Sequence, residues 1–262
     1  NDTWSARQNF RYVDARVSNS QIWASGYLSD TSNELYRGYS GGQERLHAWI
    51  VDNMLQADFA AGAAQHTLVL GLDYQYSKNK IADQRDNSIL QPPGSVTPID
   101  VFDPVYGNNP LTSINPVTDA LRRQKQTGLY LQDLVEIDNW NLSFGVRQDW
   151  YDVSIDDEIS GKDDNQGEKL SGHVGVLYAF DNGISPYVSY STSFNPTSNY
   201  SSGAQILDPT TGEQWEAGLK FQPPGTDDLY TLSFFNLEME NLYAKENSLV
   251  TDSFYKLSLI HI

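Results

Sequence analysis

The chain has 262 residues and a formal net charge of −17 at pH 7, from 17 lysines and arginines against 34 aspartates and glutamates. This charge excludes a nucleic-acid-binding role, because a surface that binds phosphate needs the opposite sign. Cysteine is absent, which excludes a disulfide framework, a thiolate metal site and a cysteine nucleophile.

Amphipathic strands follow one another along almost the whole chain. In residues 67–77, leucine and tyrosine alternate with small or polar residues, and a period of two is that of a β-strand. The mean hydropathy is −0.51, and no apolar run reaches the roughly 20 residues of a membrane-spanning helix. The alternation predicts nine strands, at about 5–28, 43–61, 66–82, 123–137, 140–155, 168–180, 184–195, 212–222 and 229–244.

The connections between these strands alternate in length. Tight turns are predicted at 61–65, 137–139, 180–183 and 223–228. Long polar loops are predicted at 29–42, 83–121, 156–167 and 195–212. Tight turns on one rim and long loops on the other are typical of a bacterial outer-membrane barrel, whose strands cross the lipid in about 9–11 residues. We therefore expect an all-β fold, an antiparallel transmembrane β-barrel segment.

Each strand should present one face to lipid and the other to the barrel interior. The set expected to meet lipid is Leu68, Leu70, Leu129, Leu131, Leu142, Phe144, Val146, Val174, Val176, Tyr178, Val188, Tyr190, Trp215, Ala217, Leu219 and Phe221. The opposite set is a mixed polar surface with Asp73, Tyr130, Gln132, Ser143, Arg147, Asp149, Ser171, His173, Ser189, Ser191, Glu216 and Lys220. In a soluble β-sandwich the first set would form the core instead.

Several stretches taken together resemble one family. They are Gln-Lys-Gln-Thr-Gly-Leu-Tyr-Leu-Gln-Asp at 124–133, Leu-Ser-Phe-Gly-Val-Arg-Gln-Asp-Trp-Tyr at 142–151, and the segments 51–59, 66–74, 180–196 and 211–221. Their order and spacing resemble the TonB-dependent siderophore receptors, most closely the ferrichrome-type receptors for hydroxamate siderophores. The likeness extends over nearly the whole chain.

The resemblance implies a 22-stranded barrel in the outer membrane of a Gram-negative bacterium, with an N-terminal plug domain inside it. Such a receptor imports a ferric siderophore with energy delivered by TonB. This chain resembles the central part of the barrel, with the plug, the TonB box and the closing strands absent. Nine strands is an odd number, and single-chain bacterial barrels use an even one, which also indicates a slice of a larger barrel.

The two ends of the chain are expected to be incomplete. No signal peptide precedes the strand pattern, although an outer-membrane protein must be secreted, so we expect that the start is missing. Residues 258–262 follow a polar loop without a strand pattern, and we expect a truncated or foreign tail there. Residues 1–257 are then the partial barrel domain.

The resemblance implies a ligand site near the long-loop rim. Trp23 matches a pocket aromatic of similar receptors. Ser25 and Arg85 stand at two positions where further pocket aromatics would be expected. Tyr36 and Tyr39 lie in a predicted long loop, where each either contacts the ligand or packs the loop against itself. The alternatives are a membrane-interface role for Trp23 and a solvated loop cation for Arg85.

No cofactor, metal site or enzymatic activity is expected. A ferric hydroxamate presents mainly its organic shell, which aromatic side chains with polar tips can hold without binding iron. The four histidines, His47, His66, His173 and His261, are scattered, and no catalytic motif is present. Iron enters only as part of the siderophore ligand.

Two other functions stay open, a passive porin and a soluble extracellular β-sandwich binding protein. The expected partners of the receptor are the ferric siderophore, TonB through the plug, and outer-membrane lipid. Acidic loops are also expected to contact lipopolysaccharide through divalent cations.

Overall fold

The computed structural model of the chain describes residues 3–86, 96–107, 109, 114–197, 205–246 and 254–261. Within these ranges the chain forms one sheet of eleven strands and no helix. The described residues therefore contain no helix long and apolar enough to span a membrane. The strands are β1 (Trp4–Tyr27), β2 (Glu34–Ala61), β3 (Ala64–Asp86), β4 (Ile99–Asp100), β5 (Ile114–Ile137), β6 (Trp140–Asp157), β7 (Gly161–Tyr178), β8 (Ile184–Asn195), β9 (Thr210–Phe221), β10 (Tyr230–Glu246) and β11 (Phe254–His261).

The sheet is an antiparallel meander in which strands adjacent in sequence pair with each other. Only the short strand β4 leaves this order, because it pairs with the start of β2. The nine predicted strands are confirmed, and the described residues form no second sheet packed on the first. The β-sandwich alternative is therefore wrong.

Strands β2, β3, β6 and β7 extend further from the tight turns than the sequence predicts. β2 begins at Glu34, inside the predicted loop 29–42, and β3 continues to Asp86. β6 and β7 are joined by only residues 158–160, so the predicted long loop 156–167 is wrong. The reason is that polar residues also pair well in a water-exposed sheet, as in the 2.8 Å ion pair between Asp156 and Lys162 across β6 and β7.

The end of the chain also forms a strand. β11 pairs with residues 238–246 of β10, so the expectation that the tail 258–262 lies outside a strand is wrong for residues 258–261, and residue 262 lies outside the described residues. The physical reason is that the edge of β10 presents unpaired backbone groups, which a further strand satisfies. The foreign origin of the tail stays a prediction.

The register separates the side chains onto two faces as predicted. Leu70, Leu131 and Val146 lie opposite one another on what we call the outer face. Asp73 and Arg147 lie on the inner face, and the other members of the two predicted sets follow the same division. Leu70 is 45% exposed whereas Asp73 is 7% exposed. Exposed apolar and buried charged side chains are the reverse of a soluble protein and are typical of a wall between lipid and a polar interior.

Two rows of aromatic side chains bound the apolar part of the outer face. The lower row lies beside the tight turns, where the Trp140 and Tyr178 rings are 4.8 Å apart. The upper row includes Trp49 and Tyr74, 5.0 Å apart, and Trp150 at the same height. Along β6, residues 140 and 150 are separated by ten positions, close to the roughly 9–11 residues with which a β-strand crosses the hydrocarbon layer.

An ion network on the inner face joins the strands at mid-height. The Arg147 guanidinium donates from Nη1 to Asp73 at 2.5 Å and from Nη2 to Asp149 at 2.7 Å, and its Nε donates to Asp149 at 2.8 Å. Gln126 also donates to Asp149, at 2.9 Å, and the Tyr130 hydroxyl donates to Asp52 of β2 at 2.9 Å. The network links β2, β3, β5 and β6.

Two glycines make room for this network. A Cβ at Gly128 would lie 1.9 Å from Nη2 of Arg147, and a Cβ at Gly71 would lie 1.9 Å from the Tyr130 ring. Both side chains therefore lie flat across the neighbouring strand instead of projecting into the interior. The tyrosine ring also contacts the guanidinium, whose central carbon is 5.7 Å from the ring centroid.

We predict that Arg147→Met destabilises the full-length receptor in detergent by about 2–4 kcal/mol, because it leaves Asp73 and Asp149 buried without a counter-charge. This loss of unfolding free energy is smaller than that for a fully buried ion pair, because 29% of the Arg147 side chain is exposed. The control is Lys125→Met, which breaks the half-exposed pair with Asp152 and should cost less than about 1 kcal/mol. Urea unfolding followed by tryptophan fluorescence measures the stability of both variants. Equal losses of unfolding free energy would contradict the role of Arg147 as the counter-charge of Asp73 and Asp149.

Candidate ligand site at the far rim

Three of the five predicted site residues share the inner face at the rim far from the tight turns. In the register, Trp23 lies opposite Gly38, Arg85 lies opposite Ser40, and Tyr36 lies opposite Gly26. All three follow the same alternation as Asp73 and Arg147. Trp23 is therefore on the interior side of the wall, and its indole is 38% exposed.

Two further residues belong to this site and were not predicted from the sequence. Gln21 and Ser40 lie opposite each other, and Ser40 lies opposite Arg85, so the three form one row directly below Trp23. The Gln21 amide donates to the Ser40 hydroxyl at 2.9 Å. The signal that could have revealed them is the register of the β2–β3 hairpin, counted outward from its turn at 62–63.

Tyr39 and Ser25 are placed differently from the other three. Tyr36 and Tyr39 both lie in strand β2, so their assignment to a loop is wrong. Tyr39 points to the outer face, is 7% exposed, and has its hydroxyl 3.5 Å from that of Ser20. Ser25 lies in β1 where the register with β2 shifts between Ala24 and Gly26, and its side chain lies outside the described part of the structure.

A buried arginine holds the chain above the site in place. Arg37 is 9% exposed and donates from Nε to the Thr97 carbonyl at 2.7 Å and from Nη2 to the Asn109 side chain at 3.0 Å. Strand β4 adds backbone pairing with Glu34 and Leu35. These contacts hold residues 97–100 and Asn109 against β2, on the outer side of the position where Tyr36 and Trp23 face inward.

The charges of the inner face near the rim are mixed. Burial raises the pKa of Asp83, and repulsion from Glu44 raises it further, whereas Arg85 and Arg122 act in the opposite direction. Asp83 lies against the backbone of β2, since a Cβ at Gly42 would be 2.1 Å from its Oδ1. Arg85 lies in strand β3 and not in a loop, on the same face as Asp83, and its role as a ligand contact or a solvated cation stays a prediction.

This arrangement suits the binding of a bulky organic ligand. An indole and a phenol offer flat apolar area with polar tips, and the row of Gln21, Ser40 and Arg85 offers hydrogen-bond donors and acceptors beneath them. Among the described residues, no group of three or more His, Cys, Asp or Glu could hold a metal ion.

Comparison with known proteins gives a consistent result. The model of the family described as "TonB dependent receptor-like, beta-barrel" matches residues 1–255. The ferrioxamine B receptor of Salmonella typhimurium LT2 is 38% identical over 244 residues, which cover 93% of this chain and 33% of that protein. The ferrichrome outer membrane transporter/phage receptor of Escherichia coli K12 is 32% identical, covering 96% of this chain and 35% of that protein. The chain thus spans about a third of the length of these curated relatives.

Solved structures show the same fold. The FpvAI–pyocin S2 complex matches with a TM-score of 0.74 at 18% identity, over 98% of this chain and 35% of that one. The ferric-catecholate import receptor Fiu of Escherichia coli K12, in its closed form, matches with a TM-score of 0.70 at 16% identity, over all of this chain and 42% of that one.

We predict that Asp83→Asn stabilises the full-length receptor at pH 7, because the raised pKa means that the ionised carboxylate opposes folding. The difference in unfolding free energy between the variant and the wild type should be absent below the ordinary aspartate pKa of 3.8. It should grow as the pH rises through the raised pKa of Asp83 in the folded protein. Thermal unfolding between pH 4 and 7 measures it, with Asp227→Asn in the exposed β9–β10 turn as the control. A difference that does not vary with pH would contradict the role of this carboxylate.

Proposed function

Because the chain belongs to the TonB-dependent receptor-like β-barrel family, we propose that it forms part of the wall of a receptor that imports a ferric siderophore. The chain is an outer-membrane protein of a Gram-negative bacterium, as its relatives are. The observation that carries the proposal is the presence of Trp23, Tyr36 and Arg85 together on the inner face at the far rim. A ligand arriving from outside the cell meets this rim first.

The ligand we propose is of the hydroxamate type. The relatives with 38% and 35% identity are ferrioxamine receptors, and the one with 32% is a ferrichrome transporter. The site offers aromatic area, the neutral hydrogen-bonding groups of Gln21 and Ser40, and the Arg85 guanidinium, which suit the organic shell of a ferric hydroxamate better than they suit a bare metal ion. Iron is then cargo, and the receptor needs no cofactor and catalyses no reaction.

Energy for uptake is proposed to come from TonB, acting through a plug domain inside the barrel. The polar inner face, with Arg147, Gln132 and Glu216, suits contact with a folded domain or water better than contact with lipid. A passive porin shares this alternation of faces, but the related proteins are receptors and transporters of ferric siderophores. The comparisons therefore favour the receptor.

The lipid partner is proposed to be lipopolysaccharide. The outer face carries a basic cluster directly above the upper aromatic row, where phosphate groups of the lipid would lie. Arg16, Arg45 and Lys80 lie opposite one another in one row, and Lys78 lies opposite Arg123 in the next. This cluster is unusual in a chain with a net charge of −17. It supports direct contact with anionic lipid in place of the cation-bridged contact expected at the acidic loops.

We predict that Trp23→Ala weakens binding of a ferric hydroxamate to the full-length receptor by about 1–3 kcal/mol, through lost aromatic contact area. Equilibrium binding of labelled ferrioxamine B or ferrichrome to outer membranes measures the loss. Heat-modifiable gel mobility reports whether the barrel has folded. The matched control is Ile22→Ala, which removes an exposed apolar side chain from the outer face one position away and should leave affinity unchanged.

Unchanged affinity in a folded Trp23→Ala receptor would remove Trp23 from the site. If instead the wild-type receptor bound no ferric hydroxamate, the proposed ligand class itself would be wrong, and catecholate ligands would be tested next.

We predict that replacing Lys78 and Arg123 together by glutamine lowers the lipopolysaccharide that copurifies with the receptor, because each basic group near an anionic lipid surface contributes about 1 kcal/mol. The control replaces two inner-face lysines, Lys169 and Lys220, by glutamine and changes the net charge equally. Mass spectrometry of bound lipid gives the ratio per receptor. An equal decrease in both variants would point to net charge alone.

A further inference from the structure

Part of the inner face is apolar and covered, although a polar inner face was expected. Along the end of β6, residues 153, 155 and 157 are buried while 154 and 156 are partly exposed. Val153 is 0% exposed and Ile155 is 2% exposed, and Ala120 of β5 beside them is 1% exposed. The alternation shows that one face alone is covered at this height, and it is the face that carries Arg147 and Asp149 lower in β6.

The side chain that covers this area is Ile206, from the connection between β8 and β9. Ile206 is 6% exposed and packs with Ala120, Val153 and Ile155 in the one cluster of buried apolar residues found in the described ranges. Its backbone N–H donates to the Asp163 carboxylate of β7 at 2.5 Å. An apolar contact and a charge-assisted hydrogen bond therefore hold the same residue.

The following residues are held at the other side. The Asn241 side chain donates to the Pro209 carbonyl at 3.0 Å, and the Thr210 hydroxyl donates to the Asn241 carbonyl at 3.0 Å. Asn241 has φ of 57°, a left-handed conformation that asparagine tolerates better than most residues. Residues 205–210, which we call the inner segment, are thus tied to β7 on one side and to β10 on the other.

The inner segment lies where the wall divides. β7 and β8 pair only between His173–Leu177 and Tyr187–Ser191, whereas β7 continues beside β6 as far as Gly161. Beyond this pairing, the Thr192 hydroxyl of β8 accepts from the Gly172 N–H of β7 at 2.9 Å, and the Phe194 ring of β8 lies 5.4 Å from the Tyr151 ring of β6. Toward the far rim, β8 and β9 are shorter than β6 and β7. The inner segment packs against the longer pair, β6 and β7.

We propose that Ile206 is a positioning residue for ligand binding, an inference that rests on the proposed function. Its contact with Val153 and Ile155 holds the inner segment against the inner face of β5 and β6. That part of the wall is then closed to the ligand, and the open part is the β1–β3 rim with Trp23, Tyr36 and Arg85. Ile206 therefore directs the ligand to this rim without contacting it.

The position of the segment is tested by thiol cross-linking in the full-length receptor in cells. A receptor carrying Ile206→Cys with Ile155→Cys should cross-link with a short bifunctional thiol reagent. A receptor carrying Ile206→Cys with Ser154→Cys should not, because Ser154 lies on the opposite face of the same strand. The 262 residues contain no cysteine, and the receptor without the introduced cysteines, treated with the same reagent, controls for thiols elsewhere in the full-length protein. Absence of the first cross-link, or equal yield of both, would overturn the proposal whatever the ligand.

The role in binding is tested with Ile206→Asp, which places a charge in the apolar contact, and with Ile206→Val, which keeps the contact. We expect the aspartate variant to bind the labelled ferric hydroxamate about 2–30-fold more weakly, the usual range for residues that act at a distance. The valine variant should bind as the wild type does, and heat-modifiable mobility should be normal for both. Unchanged affinity in a folded Ile206→Asp receptor would overturn the proposal.

Two further outcomes remain decisive. If Ile206→Asp fails to fold, the cross-linked Ile155→Cys, Ile206→Cys receptor takes its place, and it should keep wild-type affinity because the contact is the binding-competent one. Lost affinity on cross-linking would mean that the segment must leave the wall for binding, contrary to the proposal. If the wild type binds no ferric hydroxamate while the cross-link forms, the proposed function fails and the position of the segment stands.

Discussion

One guanidinium group fixes the arrangement of the central strands. Arg147 of β6 reaches Asp73 on β3 across the intervening strand β5, and it binds Asp149 on its own strand. A register shift of one residue would turn Arg147 and Asp149 together toward lipid at mid-height, where an unpaired charge costs roughly 2–4 kcal/mol, and would leave Asp73 without its counter-charge. The faces of β3, β5 and β6 are fixed together by this register.

The alternation of side chains predicts the strands and their two faces, because it depends only on neighbouring residues. The segment from Leu68 to Tyr76 carries this information within itself. The ends of the strands depend on a partner instead. The glycine and serine residues around Tyr36 and Tyr39 predict a loop. These tyrosines lie in a strand because β2 pairs with β1 and β3.

The candidate site was predictable for single residues and not for their combination. The inward direction of Trp23 follows from the alternation, whereas its row of neighbours requires a register counted over the whole length of β2. The alternation of Val153, Ser154 and Ile155 was a visible sign of a covered inner face. The residue that covers it, Ile206, comes from a distant connection, and no local rule identifies such a partner.

The two aromatic rows also define how thick a bilayer this wall can accept. The ten residue steps from Trp140 to Trp150, in strands tilted as barrel strands are, correspond to an apolar band about 25 Å tall. A thicker hydrocarbon layer would bury the basic groups above the upper row, so the lipid around the wall would have to compress locally. The bacterial outer membrane is thinner than average, and hydrophobic mismatch alone therefore disfavours residence of this wall in thicker membranes.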